Sequence, residues 1–113
     1  MWYAVNLLFE SVHDGQPSAE DLWEERILLI EATDETQARK RAETLANAEE
    51  HEYLGATGDN VAWRFRRLER VFAIDADILE NGTELFSRFL QHREVESLLT
   101  PFNKDPIVVN STK

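Results

Sequence analysis

The 113-residue chain has no cysteine, only four glycines and three prolines, and 12 basic residues against 22 acidic ones. The absence of cysteine excludes a disulfide scaffold, thiol catalysis and cysteine-ligated zinc. The glycines are scattered, which excludes a glycine-rich phosphate loop. No apolar run approaches the roughly 20 residues that span a membrane, and no signal peptide is evident. We therefore expect a cytoplasmic protein without a membrane partner.

What the chain does contain indicates one folded domain. Its length suffices for a hydrophobic core without metal or disulfides. An apolar fraction of 42%, with three Trp, two Tyr and six Phe, argues against disorder. The net charge of −10 would repel phosphates, so no nucleic-acid partner is expected.

Two strands are predicted in the first third of the chain. Residues Trp2 to Ser11 alternate at period two and are apolar on both faces, which is typical of a central strand covered twice. A loop over His13 to Asp21 follows, and Trp23 to Ala32 is the second strand. The two strands are expected to pair antiparallel.

A helix is predicted from Asp34 to about Glu50. Asp34 is a favourable N-cap, and Gln37 three residues later completes the pattern of a capping box. The stripe expected to be buried is small, and it consists of Ala38, Ala42, Leu45 and Ala46.

The second half of the chain predicts two more strands. Val61 to Asp75 reads as a long strand whose apolar side chains change face near Arg66-Arg67, which indicates a bulge or bend. The pair Asn81-Gly82 is a hairpin-type turn, and Thr83 to Gln91 is predicted as the fourth strand.

These elements predict an α+β fold, with a four-stranded antiparallel sheet of topology β-β-α-β-β and order 2-1-3-4, and one helix on a face. Residues 1–93 would form the single domain, and 94–113 a short helix ending before Pro101 plus a tail. Within the tail, residues 107–109 either pair as an edge strand or stay loose. The second sheet face then needs a cover, from the C-terminal segment or a second copy of the protein.

Charge is unevenly placed along the chain. Residues 1–60 hold 14 acids and 4 bases, whereas residues 61–113 hold 8 of each. Arginines crowd the third strand and follow on the fourth, at Arg64, Arg66, Arg67, Arg70, Arg88 and Arg93. They either form a basic strip that meets an anion or acidic partner, or pair internally with nearby acids.

A second candidate cluster, Glu49, Glu50, His51 and Glu52, is expected at the helix C-terminus, where negative charge opposes the helix dipole. A divalent metal ion could use Glu49 and Glu52 with His51 nearby, but the spacing is not diagnostic. The alternative is a solvated helix end balanced by the arginines of the following strand.

Other side chains give no catalytic or cofactor pattern. His13, His51 and His92 lack zinc spacing, and Ser11 with His13 does not make a recognisable triad. Asp75 and Asp77 place Gly82 at the wrong position for a calcium loop. Five aromatic residues are expected as core and cross-strand partners rather than as a stacking platform: Trp2, Tyr3, Trp23, Trp63 and Phe65. No catalytic residue and no cofactor is predicted.

Four stretches together resemble a bacterial family, the domain of unknown function 4288. They are residues 2–10, residues 24–27, the helix with residues 49–53, and residues 82–90. The resemblance covers about residues 2 to 91 and implies a bacterial, stand-alone, intracellular domain. It carries over no catalytic residue.

The function expected from these observations is a non-enzymatic protein-interaction module. A sheet with an uncovered apolar face invites a homodimer or a protein partner, and the acidity would steer association with a basic protein. An immunity or antitoxin protein is one concrete form. The alternative is a metal- or small-ligand-binding domain in which the acidic cluster with His51 faces the arginine strip.

Overall fold

The computed structural model describes residues 1–18, 21–56 and 58–99, which form an antiparallel sheet and two helices. In chain order the elements are β1 (Trp2–His13), β2 (Gln16–Pro17), β3 (Trp23–Glu31), α1 (Glu35–Ala48), β4 (His51–Leu54), β5 (Asn60–Ile74) and α2 (His92–Leu99). The predicted α+β class and antiparallel sheet are confirmed. Neither helix is long and apolar enough to cross a membrane within the described ranges.

Strand β1 is the centre of the sheet, as its two apolar faces predict. It pairs with β5 along its whole length, from Trp2 opposite Ile74 to His13 opposite Val61. Its other edge is shared by β3 and the short β2. The strand order is therefore β2 and β3 on one side of β1, then β5, then β4.

Helix α1 covers one half of one sheet face. Three small residues, Ala38, Ala42 and Ala46, are fully buried against a row on β1, and they allow close approach. That row consists of Tyr3, Val5, Leu7 and Phe9. The predicted cap is confirmed, since the Gln37 amide donates to Asp34 Oδ1 at 2.8 Å. Two details differ from the prediction. Leu45 is half-exposed rather than buried, and the helix ends at Ala48, two residues before the predicted end near Glu50.

The predicted irregularity in β5 is confirmed. The pairing with β1 skips Arg66, which lies between Phe65 and Arg67, and it skips Glu69, which lies between Leu68 and Arg70. Each extra residue bends the strand. The bends let β5 remain paired with β1 over its full length while its apolar side chains change face.

The prediction of a fourth strand over Thr83 to Gln91 was wrong. Residues 83–91 have no regular secondary structure, and the place beside β5 belongs to β4, within a five-stranded sheet. Strand β4 immediately precedes β5, so a short loop closes the pair at little entropic cost. It pairs only with residues 60–63 of β5, and the rest of that edge has no strand partner in the described chain. The predicted tail, residues 102–113, lies outside the described residues.

Candidate functional site

Arg64 and the acids around it form the predicted charged cluster, but as internal ion pairs. Arg64 lies across from β4, where its guanidinium bonds Glu52 and stands 3.7 Å from a Glu50 oxygen. The hydrogen bond from Arg64 lowers the pKa of Glu52, and the same bond raises the pKa of Arg64. Glu50 also accepts the Phe65 amide at 2.8 Å, so it closes part of the open β5 edge.

The remaining members of the acidic cluster point to different partners. Glu49, at the helix C-cap, pairs with Arg26 of β3. His51 lies on β4, where its ring stacks against Tyr53 and its Nδ1 is 3.3 Å from the Glu49 carbonyl oxygen. Since α1 ends at Ala48, Glu49 and Glu52 are not on one helical turn. The described residues contain no group of three or more metal-ligating side chains in metal-binding proximity.

The other predicted arginines differ in what they contact. Arg66, the bulge residue, pairs with Glu10 of β1 at 2.9 Å. Arg70 and Arg88 instead lie over the ring of Phe86, at 5.3 and 5.8 Å from its centroid. Phe86 also makes an edge-on contact with Phe72 of β5, at 5.8 Å. These contacts anchor residues 75–99, here called the C-terminal arm, to the sheet.

The face of the sheet opposite α1, here called the outer face, is apolar at the β3 edge. Trp23, Ile27 and Leu29 lie there at alternating positions, with exposures of 43, 52 and 46%. Beside them Asn6 is fully buried. Its amide donates to Glu25, and its oxygen has no hydrogen-bond partner within the described part of the chain.

A pocket of about 380 Å³ lies on the α1 side of the sheet, beyond the end of the helix. There His13 Nδ1 is 2.7 Å from Asp59 Oδ2, and Ser11 is buried two residues before His13. Tyr53 and Trp63 line the same pocket. Sequence reasoning missed this group because Asp59 reaches His13 only through the β1–β5 pairing.

Gly55 makes room for that arrangement. A Cβ at this position would lie 2.7 Å from Asp59 Oδ1 and 3.0 Å from a Val61 methyl group. The Gly55 amide donates to the Asp59 carbonyl at 2.8 Å, so backbone and side chain constrain the same turn. The turn residues of the β4–β5 hairpin therefore hold Asp59 against His13.

A wider cavity of about 520 Å³ is formed within the C-terminal arm, between the end of β5 and the turn at Asn81 and Gly82. Four carboxylates line it: Asp75, Asp77, Glu80 and Glu84. Among the described residues, these carboxylates do not come together as a group that could hold a metal ion.

Comparison with known proteins identifies the family and nothing more specific. A family model described as "Domain of unknown function (DUF4288)" matches residues 2–87, which confirms the resemblance noted from the sequence. No curated protein and no solved structure matches the chain.

Proposed function

The chain belongs to the DUF4288 family, and from that premise we propose that it is a non-enzymatic interaction module whose partner is a second copy of the same chain. The observation that carries the proposal is the exposed apolar surface of the C-terminal arm. Eight large apolar side chains of the arm are exposed: Ile78, Leu79, Leu85, Phe89, Leu90, Val95, Leu98 and Leu99. Helix α2 has no buried residue.

The number of exposed side chains matters because association is costly. Full burial of one large apolar side chain contributes about 1.5–3 kcal/mol. Loss of translational and rotational freedom on binding costs about 4–15 kcal/mol. One or two side chains would not offset that loss, whereas the arm together with the apolar edge of the outer face presents enough of them.

A second copy fits because the two apolar surfaces belong to one chain. If each arm lies on the outer face of its partner, Val95, Leu98 and Leu99 of α2 are brought to the Trp23, Ile27 and Leu29 strip. Each chain places its arm on its partner and receives the partner's arm. A two-fold axis therefore buries the arm and the apolar strip of both chains, and neither surface is left free to bind a third copy.

Opposite charges at the contact offset part of the repulsion between two acidic chains. The arm holds six acids and two bases, so the attraction comes from its two arginines meeting carboxylates of the partner. On β3, Glu25 lies between Trp23 and Ile27 on the same face and Glu31 follows Leu29, and the arm carries Arg88 and Arg93. The acidic surplus lies in residues 1–60 and would remain available to attract a basic protein.

The setting that we propose is the bacterial cytoplasm. The chain lacks cysteine, as suits a reducing compartment, where disulfides do not contribute to stability.

Sedimentation velocity over a range of protein concentrations tests the proposal. We expect a dimer for the natural sequence and a monomer for the double variant Ile27→Glu/Leu29→Glu. The control is Thr36→Glu, which adds a charge at an exposed position of α1, on the opposite side of the sheet. A folded natural chain that stays monomeric, or a double variant that still dimerises, would overturn the proposal. A monomer that captures a basic protein at low salt would replace the second copy by that partner.

A further inference from the structure

The α1 side of the sheet has an uncovered end whose side chains form a regular array. Helix α1 lies over β1 as far as Phe9, and beyond it the same face presents Ser11 and His13. The register places Trp63 beside Ser11 and Val61 beside His13. Strand β4 then adds His51 next to Trp63 and Tyr53 next to Val61.

This array borders an open cavity of ligand size. The cavity of about 380 Å³ falls within the roughly 300–1,000 Å³ that small-molecule sites occupy. Its lining combines apolar and aromatic side chains with a few polar groups at one end, which is the usual composition of such sites. Leu22, Val61 and Trp63 supply the apolar part, and Ser11, His13 and Asp59 the polar part.

The polar end has hydrogen-bonding capacity that the described chain does not use. The carboxylate of Asp59 accepts from His13 Nδ1, which places the proton of the neutral ring on that nitrogen. The other ring nitrogen, Nε2, is then an acceptor with no partner among the described residues. The hydroxyl of Ser11 also makes no hydrogen bond there, although the residue is buried. Together they offer one acceptor and one group that both donates and accepts.

The aromatic part is suited to a flat ring. Tyr53 is half-exposed and already stacks with His51 at an interplanar angle of 18°, so its ring stands on an open sheet face. Aromatic side chains on such a face stack on planar ligands, and each stacked ring contributes about 1–3 kcal/mol to the binding free energy. The nearby carboxylates of Asp14 and Asp59, within a chain of net charge −10, disfavour an anionic ligand.

We propose that this pocket, formed by Ser11, His13, Tyr53, Asp59 and Trp63, binds an uncharged planar nitrogen heterocycle of nucleobase size. The ring lies against Tyr53 and Trp63, its N–H edge donates to His13 Nε2, and Ser11 completes the polar contact. Gly55 keeps Asp59 in place, so it acts as a positioning residue for His13.

Calorimetric titration of the full chain with adenine, cytosine and adenosine 5′-monophosphate tests this site. We expect at least one base to bind, and the phosphorylated compound to bind more weakly than adenine. His13→Ala removes one hydrogen bond, so we expect a loss of affinity of up to about tenfold. His92→Ala is the matched control, because His92 lies on α2 and is exposed. Gly55→Ala should weaken binding in the same direction as His13→Ala.

Tyr53→Ala provides a second variant should His13→Ala fail to fold, since Tyr53 is half-exposed on an edge strand. It should also weaken binding. The proposal is overturned if neither base binds, if the phosphorylated compound binds more tightly than adenine, or if a folded His13→Ala or Tyr53→Ala protein binds like the natural one. Chemical-shift changes upon adenine addition that are confined to α2, away from β1 and β4, would also overturn it.

Discussion

Residues 2–74 and the C-terminal arm are similarly apolar but differ in what they do with their apolar side chains. Ten of the 25 arm residues are apolar, close to the 42% of the whole chain. The first region buries its apolar residues between the sheet and α1. The arm is held to the sheet by ring contacts of Phe86, and its other large apolar side chains are exposed. Composition is therefore no guide to where the core lies, because a core also requires a facing surface.

The strongest test of this contrast compares two phenylalanines. Phe9 is buried under α1, so Phe9→Ala leaves a cavity and should lower the free energy of unfolding by about 3–5 kcal/mol. Phe89 in the arm is fully exposed, so Phe89→Ala should change it by no more than about 0.5 kcal/mol. Urea unfolding at low protein concentration measures both. A cost at Phe89 as large as that at Phe9 would show that the arm belongs to the core.

A smaller effect is expected where the two regions meet. Phe86→Ala removes one edge-on aromatic contact and two contacts with arginine guanidinium groups, which together contribute about 1–3 kcal/mol. It should also release the arm, which amide hydrogen exchange in residues 83–91 would detect. The neighbouring Leu85→Ala is the control, since Leu85 is half-exposed. Equal exchange in the two variants would contradict the role of Phe86 as the anchor.

The smallest effect concerns the ion pairs of the first region. Arg64 lowers the pKa of Glu52 in the folded protein, so Glu52 contributes stability above its unfolded pKa near 4.5. This contribution is lost as the pH falls through the lower, folded pKa. Melting temperatures between pH 7 and pH 3 should therefore fall less steeply for Glu52→Gln than for the natural chain. Because Glu52 is exposed, the difference will be small.

Glu43→Gln is the matched control for that experiment, because Glu43 is an exposed glutamate of α1 without an ion pair among the described residues. It should follow the acid profile of the natural chain. If Glu52→Gln does so as well, the pair with Arg64 contributes nothing to folding stability.

Sequence reasoning succeeded where the signal was local. The alternation in β1, the cap at Asp34 and the change of face near Arg66 each depend on residues within a few positions of one another, and each is present in the structure. The prediction of a strand at residues 83–91 was wrong although these residues alternate like a strand. Strand β4 is nearer to β5 along the chain and takes the place beside it, which the alternation of residues 83–91 does not reveal.

The candidate sites were harder to predict, because each depends on pairing across strands. The sequence indicated that acids near residue 50 and arginines on the next strand could pair, and the structure brings Glu50, Glu52 and Arg64 together. It offered no sign of the contact between His13 and Asp59. These residues are 46 positions apart, and no periodicity links them.

The sequence by itself determined the class of the fold, the central place of β1, the start of α1 and the bulged course of β5, since local propensity and alternation encode them. Only the tertiary structure decided which segment lies beside β5, which acid each arginine meets, and which side chains line the pocket beyond α1. Those outcomes depend on strand register, where a shift of one residue moves every side chain to the other face. Register is set by the packing of the whole sheet rather than by any one segment.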